Sequence, residues 1–235
     1  GDLGGGGMRD GVEAAFARRY GRMPGPGVGV LGYGKLGGRA LCRGSDLDLV
    51  FVYQIPAPDA VSDGERALSA SAYFTRLGQR LITAISAQTG EGQLYEVDMR
   101  LRPMGDDGPI ASEVSGVERY YTRDAWTWEL MALTRARVVR APQGLKERLE
   151  ALFKDALARP RDAGQLVADI AAMRRRVAAE HGTDDPWAIK FVRGGLFDVE
   201  FIAQYLQLRD AATHPDVLDT NTIQALEKLT AADRL

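Results

Sequence analysis

The alternation of hydrophobic and polar positions divides the chain into a mixed first half and a helical second half. Short runs of β-forming residues at 28–31 and 47–53 predict two strands. A third strand is predicted at 94–101, where apolar and charged residues alternate strictly until a proline ends the run. Apolar residues at helical spacing between residues 64 and 86 predict one helix in this half.

From residue 114 onward the apolar spacing is almost entirely helical. Helices are predicted at 114–140, 145–157, 163–180 and 196–210, separated by proline and glycine residues. We therefore expect an α+β fold in three parts: an N-terminal helical segment and linker at 1–26, an α+β domain at 27–141 and a helical domain at 142–235. The glycine run at 4–7 is expected to be flexible, and the chain's first and last residues suggest a fragment of a longer protein.

Composition and charge narrow the functional classes. The 235 residues are 45% hydrophobic and 26% charged, which excludes collagen-like and disordered proteins. A net charge of −2 argues against nucleic acid or an anionic membrane as the main partner, and no apolar run is long enough for a membrane helix. The single cysteine, Cys42, excludes an intrachain disulfide and fits a reducing, cytoplasmic location. Two distant histidines argue against zinc, so we expect any metal to be carboxylate-bound.

The candidate chemistry lies in three aspartates. Asp46 and Asp48 stand two apart at the start of the second predicted strand, so both carboxylates project from one face and repel each other. A divalent cation relieves that repulsion, and Mg²⁺ prefers carboxylate and phosphate oxygens. Asp98 lies on the polar side of the alternating strand and completes a two-ion site if the two strands are neighbours. The alternative is a solvated, charged sheet face.

A glycine-rich loop, GYGKLGG at 32–38, precedes the aspartates. Its glycine spacing formally matches a dinucleotide-binding fingerprint, but the acids follow too soon and no second βαβ unit is predicted. A Walker loop is disfavoured because no Gly-Lys-Ser/Thr occurs. We interpret the loop as a phosphate cradle, in which backbone N–H groups of Gly34 and of the turn at Ser45 approach a triphosphate.

Several segments together resemble a known family. They are GYGKLGG at 32–38, GSDLDL at 44–49, YEVDMRLRP at 95–103, AWTWE at 125–129, ALTRARV at 132–138, Lys190 and GGLFDVEF at 194–201. Over residues 27–209 the chain resembles the bacterial bifunctional glutamine synthetase adenylyltransferase/adenylyl-removing enzyme, most closely its C-terminal, adenylylating domain. It departs from the family pattern at 40–44 and 104–107, neither of which contains the three aspartates.

The resemblance implies a nucleotidyltransferase fold of the DNA polymerase β type, with a small mixed sheet and flanking helices, followed by a helical bundle. It implies Mg²⁺-dependent transfer of AMP from ATP to a tyrosine of glutamine synthetase, regulating nitrogen assimilation, with a nitrogen signal-transduction protein as a further partner. The metal-binding and catalytic residues are then Asp46, Asp48 and Asp98. The nucleotide-binding residues are then Gly34, Lys35, Ser45, Arg100 and Arg102.

Two other functions stay open beside this one. The same site run in reverse removes AMP by phosphorolysis, and a non-catalytic nucleotide-binding module is the alternative outside enzyme chemistry. For Arg100 and Arg102 the alternative to a nucleotide contact is salt bridges to Glu96 and the aspartates.

Residues of the helical half are expected to be mainly structural. We expect Trp126 or Trp128 to lie in the core, with indole N–H groups available to orient Glu129. Arg174, Arg175 and Arg176 are interpreted as a solvated helix face and His181 as a helix-end residue. No role is assigned to a set of charged residues around a glycine pair: Lys190, Asp198 and Glu200.

Overall fold

The computed structural model describes residues 5–42, 44–89, 92–93 and 95–235. The strands are β1 Gly27–Gly32, β2 Leu47–Gln54, β3 Gln88–Thr89, β4 Gly92–Gln93, β5 Val97–Asp98, β6 Ala111–Glu113 and β7 Arg137–Arg140. The helices are α1 Gly5–Tyr20, α2 Gly34–Gly37, α3 Ala70–Ile85, α4 Val114–Arg123, α5 Thr127–Thr134, α6 Gln143–Leu157, α7 Ala163–His181, α8 Leu196–Asp210 and α9 Thr222–Ala231.

A mixed sheet organises the first half of the chain. β2 lies at its centre, antiparallel to β1 and parallel to both β5 and β6, while β1 pairs on its other side with β7. β3 and β4 form a separate two-stranded ribbon. The fold is therefore α+β, as the hydrophobic pattern predicts, and its small mixed sheet agrees with what the family resemblance implies.

Apolar residues on both faces of β2 explain why this strand is buried. Phe51 and Tyr53 pack with residues of α1 and α3 on one face, where the Tyr53 and Phe74 rings stack at 4.3 Å. Val50 and Val52 face a second cluster, formed with residues of α4 to α8. Because side chains alternate along a strand, Asp48 lies on the same face of β2 as Val50 and Val52, two residues before Val50.

The later helices continue the second cluster. α6 and α7 contribute Leu145, Leu149 and Leu166 to it, and α8 contributes Leu208. α8 contacts α5, α7 and α9, so α9 is joined through α8 to the other helices of the second half. Within the described ranges, no helix has the combination of length and apolar character that crossing a membrane requires.

Most predicted elements are confirmed to within two residues. The strands predicted at 28–31 and 47–53 are β1 and β2, and the helices predicted at 145–157, 163–180 and 196–210 are α6, α7 and α8. The helix predicted at 64–86 begins later, at Ala70, because Ser69 is held in a β-bridge with Val61.

The strand predicted at 94–101 is wrong in length. Only Val97 and Asp98 form a strand, and Leu94 lies outside the described residues. The chain turns immediately afterwards because the buried Arg102 guanidinium donates to three carbonyl oxygens, those of Met99, Asp106 and Gly108. Each of these bonds satisfies a backbone acceptor that a strand would have paired with a neighbour.

Two further predictions are wrong for reasons of tertiary packing. The helix predicted at 114–140 is interrupted twice, and its last four residues form β7, in which Val138 pairs with Leu31 of β1. Residues 5–7 of the glycine run belong to α1 rather than to a flexible linker, and residue 4 lies outside the described range. α1 is held by Phe16, whose ring meets Tyr73 of α3 at 4.9 Å.

Candidate active site

The register between β2 and β5 brings two of the three predicted acids together. The strands run parallel with Asp48 opposite Asp98, so both carboxylates leave the same face of the sheet. Asp46 lies two residues before Asp48, just ahead of β2, and is exposed. The pairing of the two strands, on which the three-carboxylate hypothesis depends, is confirmed.

The closeness of these acids changes the pKa of Asp48. Partial burial raises the pKa of the Asp48 carboxyl, and the neighbouring charges of Asp98 and Asp46 raise it further. Arg100 and Arg135 act in the opposite direction, with a smaller effect. Among the described residues, no side chain donates a hydrogen bond to the Asp48 carboxylate. A cation beside Asp48 would therefore favour its ionised form.

Asp98 has the opposite environment because Arg100 holds it. The guanidinium donates to Oδ2 at 2.8 Å from Nε and at 2.5 Å from Nη2, and Nε also lies 3.1 Å from Oδ1. The Arg100 backbone N–H donates to Oδ1 at 2.8 Å. These bonds lower the pKa of Asp98. The ion pair is the alternative expected for Arg100, whose side chain is 77% exposed and free to exchange its partner.

The first glycine of α2 gives Asp48 its space. Gly34 has a φ of +52°, and a Cβ there would lie 2.3 Å from Oδ2 of Asp48. The preceding Tyr33 N–H donates to the Asp48 carbonyl oxygen at 2.9 Å. The glycine loop therefore contacts β2 directly at Asp48, and a side chain at Gly34 would displace the Asp48 carboxylate.

Lys35 and Ser45 meet beside this loop. The Lys35 ammonium donates to Ser45 Oγ at 3.5 Å, and Ser45 is buried. The Ser45 N–H donates to the Cys42 carbonyl oxygen at 3.0 Å and so closes the turn before β2. The exposed Cys42 thiol lies 3.1 Å from Ser45 Oγ.

Arg102 points away from the aspartates. Its buried guanidinium binds the carbonyl oxygens of the following turn and lies 3.3 Å from an Asp106 carboxylate oxygen. The structure therefore places Arg102 as a support for the turn after β5, and its guanidinium forms no salt bridge to Asp46, Asp48 or Asp98. Arg100 alone of the two faces the acids.

The three carboxylates are of the kind that bind a hard divalent ion, but they do not surround a single point. Across the described ranges, no group of three or more His, Cys, Asp or Glu side chains is arranged to hold a metal ion. Asp98 is engaged by Arg100, and Asp46 extends into solvent. Asp48 and Asp98 nevertheless offer the oxygen ligands that Mg²⁺ prefers, and a cation there would offset the burial and negative charge that raise the pKa of Asp48.

A family model described as glutamate-ammonia ligase adenylyltransferase matches residues 12–152. The chain belongs to this family. The match runs from α1 into α6, so it contains the glycine loop and all three aspartates.

Curated relatives extend the similarity over most of the chain. A protein named bifunctional glutamine synthetase adenylyltransferase/adenylyl-removing enzyme from Rhodopseudomonas palustris (strain TIE-1) is 48% identical over 219 residues, which are 93% of this chain and 22% of that protein. Proteins of the same name from Bradyrhizobium sp. (strain BTAi1) and Xanthobacter autotrophicus (strain Py2) are 46% and 45% identical, each covering 92% of this chain. The chain spans about 22% of the length of these relatives.

The two tryptophans before and in α5, Trp126 and Trp128, are not in the core of this adenylyltransferase family member. Trp126 is 70% exposed and Trp128 is 38% exposed, so the expectation of a buried indole is wrong. Glu129 is buried, and its carboxylate accepts from the Trp126 backbone N–H at 2.9 Å and from the Tyr120 hydroxyl at 2.6 Å. Burial and the bond to Glu129 raise the pKa of Tyr120 to about 12. Trp126 and Glu129 therefore cap the N-terminus of α5.

The charged residues around the glycine pair have structural partners. Asp198 forms an ion pair with Arg174 of α7 and accepts the Gly194 N–H at 2.7 Å, so Arg174 is not on a solvated face. The Lys190 ammonium lies 4.7 Å from the centre of the Phe191 ring. His181 ends α7, as predicted.

Two residues near the acids were not singled out by the sequence. Arg135 is buried, lowers the pKa of Asp48 and pairs with Glu200 of α8 at 2.6 Å. Asn221 lies before α9 and donates to the carbonyl oxygen of Gly38 at 3.1 Å. Both contacts join positions at least 65 residues apart, and the only local signals are a helix-capping Asn and the place of Arg135 in the ALTRARV segment at 132–138.

Proposed function

We propose that this chain is an adenylyltransferase domain that transfers AMP from ATP to a tyrosine hydroxyl of glutamine synthetase with the help of Mg²⁺. The names of the relatives support glutamine synthetase as the substrate and AMP as the transferred group. The observation that carries the proposal is the parallel register of Asp48 and Asp98 beside a glycine loop. We further propose that residues 27–141 have a nucleotidyltransferase (DNA polymerase β-like) fold, that 142–235 belong to a helical bundle, and that 1–26 form an N-terminal helical segment.

Each residue of the site has a part in this proposal. Asp48, Asp98 and Asp46 would hold Mg²⁺, which supplies charge neutralisation on the phosphates and acidifies the acceptor hydroxyl. The Lys35 ammonium lies beside Ser45 Oγ, where it can neutralise phosphate oxygens. Arg100 can exchange Asp98 for a phosphate oxygen, because the two anions compete for the same exposed guanidinium.

The transfer step needs a base and a leaving group. The tyrosine oxygen bonds to the α-phosphorus as the bond from that phosphorus to the bridging oxygen breaks, and pyrophosphate leaves. Asp98 accepts the hydroxyl proton. Release of Arg100 toward the phosphates would free the Asp98 oxygens, which the guanidinium otherwise occupies, to face the ion and the acceptor hydroxyl.

The relatives' name also covers AMP removal, so the direction requires a product assay. Transfer consumes ATP and releases pyrophosphate, whereas phosphorolysis consumes phosphate and AMP-protein and releases ADP. The protein would be incubated with Mg²⁺, labelled ATP and glutamine synthetase, and then separately with adenylylated glutamine synthetase and phosphate. Label on a tyrosine, with pyrophosphate release, is the expected result. ADP formation in the second reaction alone would establish removal instead.

Asp48→Asn is the matched test of the site in that assay. We expect it to abolish transfer while leaving helical content unchanged, because the amide keeps the shape and loses the charge. Asp59→Asn, an exposed carboxylate away from the site, is the control and should remain active. Full activity of Asp48→Asn would refute the metal-binding role.

A cytoplasmic location and a nitrogen signal-transduction partner also remain part of the proposal.

A further inference from the structure

The segment before α9 touches the end of the glycine loop. Asn221 Nδ2 donates to the Gly38 carbonyl oxygen at 3.1 Å, while its Oδ1 accepts the N–H groups of Ile223 and Gln224 at 3.0 and 3.2 Å. The Thr220 carbonyl oxygen would lie 2.9 Å from a Cβ on Gly38. One amide side chain therefore caps α9 with its oxygen and holds the loop with its nitrogen.

Arg135 forms a second connection between the loop and the late helices. Its Nη1 pairs with Glu200 Oε1 of α8 at 2.6 Å, and its Nη2 would lie 2.9 Å from a Cβ on Gly38. A Cβ on Gly37 would lie 1.7 Å from the Arg135 carbonyl oxygen, so this contact admits only glycine. Arg135 is buried, and its Nε has no hydrogen-bond partner among the described residues.

The short helix α2 links these contacts to the candidate nucleotide site. Gly38 N–H donates to the Gly34 carbonyl oxygen at 3.0 Å, and Ala40 N–H donates to that of Lys35 at 2.8 Å. Gly34 in turn lies against Asp48 at the other end of this single turn. A displacement of Gly38 therefore moves the backbone that places Gly34 and Lys35.

We propose that Asn221, with Arg135 and Glu200, positions the glycine loop for MgATP, so that the segment from α8 to α9 sets the affinity of the site for nucleotide. These are positioning residues, since they act through Gly37 and Gly38. The inference rests on the proposed function for the identity of the ligand, but the effect on the loop is independent of it.

Asn221→Asp separates the two roles of the side chain. The carboxylate keeps an oxygen to cap α9, as Asp does well, but it loses the donor to Gly38 and presents a negative oxygen to the carbonyl. Asp162→Ala is the matched control, because Asp162 Oδ1 caps α7 by accepting the Gln165 N–H at 2.7 Å. The control removes a helix cap without contacting the loop.

The test has two readouts, both made on the whole protein. Hydrogen exchange of the peptide covering 31–40 is measured without nucleotide, and MgATP binding is measured by calorimetry. For Asn221→Asp we expect faster exchange at Gly37 and Gly38 and an affinity for MgATP lower by roughly three- to tenfold, the equivalent of one hydrogen bond. The melting temperature should stay near that of the wild type. Asp162→Ala should lower the melting temperature and leave both loop readouts unchanged.

The two proposals fail in different ways. If Asn221→Asp matches the wild type in loop exchange and in MgATP affinity, the positioning role is overturned while the proposed function stands. An equal loss of affinity in Asp162→Ala would also overturn it, because destabilisation would then explain the effect. If the wild type binds no MgATP, the proposed function and the affinity effect both fall, and exchange alone decides whether Asn221 orders the loop.

Discussion

Replacing Gly34 with alanine tests the contact between the glycine loop and the acidic strand. The added Cβ would lie 2.3 Å from Asp48 Oδ2, so the oxygen must move by about 1 Å to reach an ordinary contact of 3.4 Å. Misplacement of a reacting group by about 1 Å can lower a rate by about a hundredfold. Alanine at a φ of +52° adds about 1 kcal/mol of backbone strain.

Gly194→Ala is the matched control for the strain. Gly194 has a φ of +79°, and nothing lies within 4 Å of an added Cβ, so this variant has the backbone cost without the clash. The assay is transfer of labelled AMP at saturating MgATP, with the free energy of unfolding measured by urea titration. We expect about a hundredfold loss of kcat for Gly34→Ala and near-normal kcat for Gly194→Ala, with similar losses of stability. A kcat equal to that of the wild type in Gly34→Ala would refute the inferred contact between the loop and the Asp48 carboxylate.

Three further predictions concern ion pairs and a helix cap. Arg100→Ala should raise the pKa of Asp98 from its lowered value, because the hydrogen bonds from the guanidinium are lost while the bond from the backbone N–H remains; an unchanged carbon-13 carboxyl titration would contradict this. Glu129→Ala should cost about 1–3 kcal/mol of unfolding free energy, against less than about 0.5 for the exposed Trp126→Ala, and equal urea midpoints would refute the assigned cap. The ion pair lowers the pKa of Asp198, so its stabilisation should be present above the unfolded-state pKa near 4 and lost as pH falls through the lower folded value. Asp198→Asn should therefore flatten the acid side of a melting-temperature profile, and a profile unchanged from the wild type would contradict the assignment.

The elements that the sequence predicted well are those whose burial follows from local pattern. β2 has a continuous β-forming run because both its faces are covered, and α6 and α8 carry apolar residues at helical spacing. The acid pair at Asp46 and Asp48 could be recognised for the same reason, since a two-residue spacing defines a shared face of a strand.

The elements that the sequence missed depend on distant partners. β7 follows a helix without a break in the apolar pattern and becomes a strand only because β1 offers an edge to pair with. β5 is short because the Arg102 side chain folds back onto the carbonyl oxygens of the next turn. Asn221 reaches Gly38 across 183 positions, and no local spacing encodes such a contact.

A crystal structure with Mg²⁺ and a non-hydrolysable ATP analogue is the most direct measurement of the central claim. We expect Mg²⁺ about 2.0–2.1 Å from carboxylate oxygens of Asp48 and Asp98 and from phosphate oxygens, with Arg100 released from Asp98. Nucleotide bound away from the glycine loop, with Arg100 still paired to Asp98 and no ion at Asp48, would contradict the account.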